Sequence, residues 1–205
     1  MKPAQPPLTL VAPPEAPAPA ERSDDELLQL AAAGSTACFA ELARRHAASV
    51  LGFCTRLVGG AGAGEELAQD VWLEVWKRRR SYRPGGSFPA FLFSVARSRC
   101  LNHLRRRSRW SRVEPELLVA RQSAPEPSDE ASLQRLLREE RQRHLVEALA
   151  ALPVRQREAV LLRFSHDLDY ETIAGIVGAS PSTARSRVFH GLRALRARLS
   201  PERSR

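Results

Sequence analysis

Cysteine, methionine and tyrosine are scarce here: three, one and two in 205 residues. Cys38, Cys54 and Cys100 stand far apart, with no CxxC pair and no paired histidines beside them. That spacing suits neither a zinc site nor a disulfide framework, so the three read as small buried hydrophobes. No apolar run approaches the roughly 18–20 residues of a membrane-spanning helix. The short apolar stretch Leu8–Ala12 is flanked by prolines and does not resemble the core of a signal peptide. A cytoplasmic chain without membrane insertion is expected. Carboxylate clusters beside basic stretches are missing, as is a phosphate-binding GxxxxGK[ST] loop, so neither an enzyme nor a cofactor or metal is expected.

What is abundant is positive charge. Thirty-two Lys and Arg against 23 Asp and Glu leave +9, which points to a polyanionic partner. The surplus is segmented. Residues 22–110 carry +7 and residues 141–205 carry +6, while residues 111–140 carry −3. Two basic blocks are therefore joined by an acidic connector.

Proline marks the same boundaries. Seven of the fifteen prolines lie between Pro3 and Pro19, interleaved with alanine, so residues 1–22 read as a disordered tail. Residues 111–130, with Glu114-Pro115-Glu116 and Ala124-Pro125-Glu126-Pro127, read as a flexible linker, and residues 201–205 as a basic tail. Neither block shows an alternating strand pattern, and the fold class expected is all-α, two small helical domains at 23–110 and 131–200.

In the front domain Ser23-Asp24-Asp25-Glu26 has the form of a capping box that opens a first helix. A second, from about Thr36 to Val58, carries Phe39, Leu42, His46, Val50 and Phe53 at helical spacing and stops at Gly59-Gly60-Ala61-Gly62. A third is expected over about Gly64 to Arg79, and a fourth over about Ser87 to Arg107 with Ser87 as N-cap. The third pairs an apolar stripe of Leu67, Ala68, Val71, Trp72 and Val75 with an acidic face of Glu66, Gln69 and Asp70. An acidic face on so basic a block suits a protein partner with a basic surface. The fourth gathers Arg97, Arg99, Arg105, Arg106, Arg107 and Arg109 near Phe88, Phe91 and Phe93, with Tyr82 just before it. Arginine interleaved with aromatics suits single-stranded nucleic acid, the cations tracking phosphates while a ring or pocket holds an unstacked base.

The rear block holds a sharper local pattern. Asp169 is placed to cap a helix over Tyr170–Val177, Gly178-Ala179 to turn, and Ser180-Pro181 to start another. The new helix sets Ala184, Val188, Leu192, Leu195 and Leu199 on one face and leaves Ser182, Arg185, Ser186, Phe189, His190 and Arg193 largely outward. This is a helix-turn-helix whose second helix suits the major groove.

Taken in order, the motifs resemble an extracytoplasmic-function sigma factor of bacterial RNA polymerase, in the sigma-70 family. Gly64-Glu65-Glu66-Leu67-Ala68-Gln69-Asp70-Val71-Trp72 is similar to the stretch that grips the polymerase clamp. The segment from Phe88-Pro89-Ala90-Phe91 to Leu101-Asn102-His103-Leu104-Arg105-Arg106 looks like the one that melts and reads the −10 element. Leu149–Pro153 followed by Arg155-Gln156-Arg157-Glu158-Ala159 resembles the opening of the rear domain, and Ser182-Thr183-Ala184-Arg185-Ser186-Arg187-Val188 its −35 helix.

The resemblance implies a four-helix sigma-2-like bundle and a sigma-4-like helix-turn-helix domain. It implies Glu66, Gln69 and Asp70 at core polymerase, and Tyr82, Arg83, Ser87, Phe88, Arg97, Asn102, Arg105 and Arg106 at −10 DNA. It assigns Ser182, Thr183, Arg185, Ser186, Arg187, Phe189 and His190 to −35 DNA. The implied partners are core RNA polymerase, promoter DNA and an anti-sigma factor. Ser98, Asn102 and His190 depart from the family pattern. The acidic linker, about twenty residues, reaches at most roughly 70 Å, against about two turns of duplex between the two promoter elements. The rival reading is a conventional helix-turn-helix regulator that binds duplex operators without polymerase.

Overall fold

Short polar side chains set where helices begin. In the computed structural model, which describes residues 18–82, 87–110 and 130–199 (side chains excepted at 110 and 130–139), Ser23 and Glu26 close the expected capping box. The Ser23 backbone N–H donates to Glu26 at 2.9 Å and the Glu26 N–H donates back to Ser23 Oγ at 3.3 Å. Helix α1 follows over Asp24–Ala32. Ser35 caps α2, Thr36–Val58, by accepting from the Cys38 N–H. Asp169 caps α7, Tyr170–Val177, by accepting from the Thr172 N–H at 2.7 Å. The remaining helices are α3, Ala61–Arg78, α4, Phe88–Trp110, α5, Glu130–Ala150, α6, Val154–Ser165, and α8, Pro181–Leu199. Among the described residues there is no strand. The tail 1–17, the linker 111–129, Arg83 and the terminal residues 200–205 lie outside the described residues.

Helix α3 begins one turn earlier than expected. Gly59 alone takes the left-handed conformation, φ +79°, and ends α2, so Gly60 is left as N-cap while Ala61 and Gly62 already belong to α3. The reason for a further glycine at 64 is proximity. A Cβ there would lie 2.6 Å from Thr55 Cα and 2.8 Å from Thr55 N, which is backbone that cannot rotate away. Gly191 plays the same part in α8, where a Cβ would meet Val160 Cγ2 at 2.6 Å.

The front bundle buries Leu27 and Leu28 of α1, Leu42, Val50, Phe53 and Leu57 of α2, Val71 and Val75 of α3, and Leu92, Ala96 and Cys100 of α4. Phe39 adds edge-on contacts to Trp72 and Trp76. In the rear unit Leu162 of α6, Ile173 and Ile176 of α7 and Ala184, Val188 and Leu195 of α8 form the core. Leu199, expected on that face, is 44% exposed, and Gly191 takes a buried place instead. The turn at Gly178, φ +64°, with its N–H on the Ala174 carbonyl, gives the expected helix-turn-helix.

No sequence pattern announced that the two units pack directly on each other, α6 and α5 against α2 and α7 against α4. His166, just past α6, lies on Phe93 at 3.9 Å between ring centres and on Phe53 at 5.7 Å. Its Nε2 is buried without a hydrogen-bond partner among the described residues. Burial, reinforced by the Arg56 and His46 charges, lowers its pKa from 6.5 to about 4. The imidazole is thus neutral in the folded protein while the unfolded chain takes up a proton below 6.5. Its contribution to stability is complete above that pH and is lost as pH falls from 6.5 towards 4. The melting temperature of the wild type should fall across this window more steeply than that of His166→Leu, measured by circular dichroism; parallel curves would refute the assignment.

Candidate nucleic-acid interface

The acidic face of α3 stands opposite its buried stripe. Glu66, Gln69 and Asp70 are all exposed, while Leu67, Ala68, Val71 and Val75 point into the core. The acid one turn further on is different: Glu74 binds Arg78 Nε at 2.5 Å and also pairs with Arg99. Those guanidiniums hold its carboxyl below the ordinary range against the pull of its own desolvation. Glu66 and Asp70 make no ion pair among the described residues, so their charge faces solvent. Leu73, three residues after Asp70 and four after Gln69, shares this face and is 59% exposed. The sequence reading missed it; the signal was an apolar residue standing outside the stripe, at the spacing of the acids.

The residues expected at −10 DNA divide into three groups. Ser87, Asn102, Arg105 and Arg106 are exposed, with Arg105 Nη1 donating to Asn102 Oδ1 at 3.0 Å. Arg105 and Arg106, with Arg107 and Arg109, make the C-terminal end of α4 a cationic ridge, which also complements the helix dipole. Tyr82 is half-buried: its OH donates to Asp25 at 2.5 Å, its ring leans on Phe91, and burial raises its pKa. Phe88 corrects the expectation. It is 1% exposed, packed edge-on against His46, and belongs to the core, so its ring offers no stacking surface. The first turn of α4 packs on α2, and His46 of that helix covers the Phe88 ring. Val95 is buried, and Phe91 is partly so.

Arg97 forms the third group. Its Nε donates to Glu158 Oε2 at 2.8 Å, across the boundary between the units, and its Nη2 reaches Oε1 at 3.3 Å.

On α8 the expected −35 residues Ser182, Thr183, Arg185, Ser186, Phe189 and His190 all face solvent. Ser180 caps the helix by accepting from the Thr183 N–H, and its hydroxyl also meets those of Ser182 and Thr183 at 2.9 and 2.8 Å. The Arg185 guanidinium lies over the Tyr170 ring, 5.1 Å from its centre, which steers it along the outward face. Phe189 is 62% exposed and edge-on to His190. Arg187 differs from the others: it is partly buried, with its Nη1 3.7 Å from Glu158 Oε1.

The family model of Sigma-70 region 2 matches residues 42–109 and that of Sigma-70, region 4, matches residues 142–195. The ECF RNA polymerase sigma factor SigK of Mycobacterium sp. (strain JLS) is 32% identical over 84% of this chain and 88% of its own. RNA polymerase sigma factor CarQ of Myxococcus xanthus is 32% identical over 80% of this chain and 90% of its own. Among solved structures, the sigma factor RpoE in complex with the anti-sigma factor NepR from Bartonella quintana aligns with a TM-score of 0.65 at 25% identity. That alignment covers 80% of this chain and 98% of that one. CnrH in complex with the cytosolic domain of CnrY aligns with a TM-score of 0.63, covering 87% and 98%, and at 20% identity shares the fold. Among the described residues no helix is long and apolar enough to cross a membrane. Two sigma-70 regions in the expected order, with relatives along most of the chain, support the sigma-factor reading over the operator-binding regulator. The chain belongs to the extracytoplasmic-function group of the sigma-70 family, the non-enzymatic factors that direct RNA polymerase to promoters.

Proposed function

We propose that the front unit, 23–110, carries the docking and −10 surfaces and that the rear unit, 131–200, reads the −35 duplex. The observation that carries this assignment is the separation of charge: an exposed acidic face on α3, and arginines at the end of α4 and along α8. Glu66, Gln69 and Asp70 dock on basic residues of core polymerase around Leu73 as an apolar contact. On α8 Arg185 and Phe189 meet base edges, with Ser182, Thr183, Ser186 and His190 at phosphates or bases.

At −10 the task left to a ring falls to Tyr82 rather than Phe88, with Ser87 and Asn102 as polar neighbours. Arg105 and Arg106, and Arg97 once freed, hold the backbone. Unpairing the captured base costs a few kcal/mol and is met by binding energy, with no catalytic step and no cofactor. The work takes place in the cytoplasm, where core polymerase is found. A solved relative is bound to an anti-sigma factor, and this chain is assigned a partner of the same class.

The test is stoichiometric co-elution of the purified chain with sigma-free core RNA polymerase on a sizing column. No association with a core competent for another sigma factor would overturn the proposal. At the −35 element, Arg185→Ala should cost about 1–3 kcal/mol, concentrated at one base position. Equal loss on every sequence variant, read by titration of the polymerase complex on promoter fragments, would make it a phosphate contact instead.

A further inference from the structure

Tyr82, half-buried and just ahead of α4, is held from a helix to which no DNA contact has been assigned. Its hydroxyl donates to Asp25 Oδ1 at 2.5 Å, 57 positions away, in the first turn of α1. Asp25 is itself only partly exposed. The same stretch of chain is tied to α1 a second time. Arg79 Nε donates to the Ala31 carbonyl at 3.2 Å, near the end of that helix, and its guanidinium lies 3.6 Å from the centre of the Trp76 ring. Between the two ties runs a single 3-10 turn, Arg79–Ser81. Helix α1 is a firm support, with Leu27, Leu28 and Ala31 fully buried. From α4 the Phe91 ring backs Tyr82, 5.3 Å between centres.

We propose that Asp25 is a positioning residue for base capture at the −10 element: its carboxylate fixes the Tyr82 ring in the orientation in which it receives the unpaired base. This rests on the assignment of Tyr82 made above.

A charge argument points the same way. Asp25 sits beside a surface assigned to a polyanion, where a carboxylate on its own repels phosphates and weakens binding. The hydrogen bond gives that charge a use. A phenol O–H on a carboxylate makes a stronger bond than two neutral groups do, and the positive end of α1 steadies the acceptor. With its hydroxyl anchored and its ring against Phe91, Tyr82 does not have to be immobilised when the base arrives. Ordering a free side chain on binding lowers affinity about threefold to tenfold, and here that cost is met in folding instead. Charge alone and positioning therefore predict opposite signs for Asp25→Ala: tighter binding in the first case, weaker in the second.

The experiment uses the full-length chain bound to core RNA polymerase and a labelled single-stranded DNA oligonucleotide that the wild type enriches from a randomised pool, read by fluorescence anisotropy. A second oligonucleotide is abasic at the position whose loss costs the wild type most. Asp25→Ala should lower the preference for the intact strand over the abasic one by about threefold to tenfold. Asp25→Asn, which keeps an acceptor for the hydroxyl, should retain that preference. Tyr82→Phe should lose as much as Asp25→Ala, and the double variant no more, since both remove one interaction. If circular dichroism shows that Asp25→Ala does not fold, Tyr82→Phe and Asp25→Asn carry the test. An unchanged preference in Asp25→Ala overturns the proposal, whether both strands bind more tightly, as charge alone predicts, or equally less, as a merely structural role predicts. Tyr82→Ala separates this outcome from a failure of the underlying assignment. If Tyr82→Ala keeps the preference, base capture by Tyr82 falls and the proposal with it. Loss with Tyr82→Ala but not with Asp25→Ala overturns the positioning role alone.

Discussion

Glu66→Lys/Asp70→Lys is expected to lose core polymerase by at least about 100-fold, roughly 3 kcal/mol, while its helix content and melting temperature stay those of the wild type. Both side chains are exposed and neither makes an ion pair among the described residues, so the fold has little to lose. An interface of complementary charge has much to lose, because reversal replaces attraction by repulsion at two adjacent points. Glu74→Gln, on the same helix, serves as the contrast. Its carboxylate is already occupied by Arg78 and Arg99, so its effect should be on the stability of the front bundle rather than on docking. Competition of labelled variants for core enzyme measures both. Retained affinity in the double charge reversal would remove α3 from the docking surface.

Gly64→Ala should produce the largest loss of stability of any single methyl added to the front unit. Helix propensity alone would favour alanine by about 1 kcal/mol. Against it stands a Cβ placed within 2.6 to 2.8 Å of Thr55 backbone atoms, which α3 can relieve only by moving off α2. Overpacking of this kind costs typically 1–3 kcal/mol, and at about 4–8 °C per kcal/mol for a domain of this size the shift is easily seen. Gly62→Ala, two residues earlier, meets nothing within 4 Å and should leave the melting temperature unchanged or slightly raised. If the two substitutions behave alike in thermal denaturation, the close approach of α2 and α3 is not rigid.

These two substitutions differ in how far they were legible beforehand. The acids of α3 are separated from its apolar stripe by helical periodicity, a property of a dozen consecutive residues. The capping box at Ser23, the Asp169 cap, the Gly178 turn and the Ser180-Pro181 start are local in the same sense. Each is satisfied by atoms three or four residues away, as the hydrogen bonds of Glu26 and Thr172 show. The four-helix bundle, the helix-turn-helix and the outward residues of α8 therefore follow from the sequence alone. So does the division of charge between the acidic face of α3 and the arginines at the end of α4 and along α8, since those side chains stay exposed.

What needed the tertiary structure was everything decided by which helices meet. Phe88 and Tyr82 are both aromatic residues beside a glycine-rich loop, and nothing nearby in sequence says that one ring enters the core against His46 while the other stays half-exposed beside Asp25. Gly64 looks like one more small residue in a glycine-rich turn until Thr55 is placed beside it. Arg97 reads as one of six equivalent cations, yet its partner lies 61 positions away. Glu158 reads as an ordinary charged residue of an amphipathic helix. The side-chain pattern along a helix states which face is apolar, but not which carboxylate will be sealed beneath a neighbouring unit. That sealing is a long-range event, and it turns two surface arginines into the partners of a single buried charge.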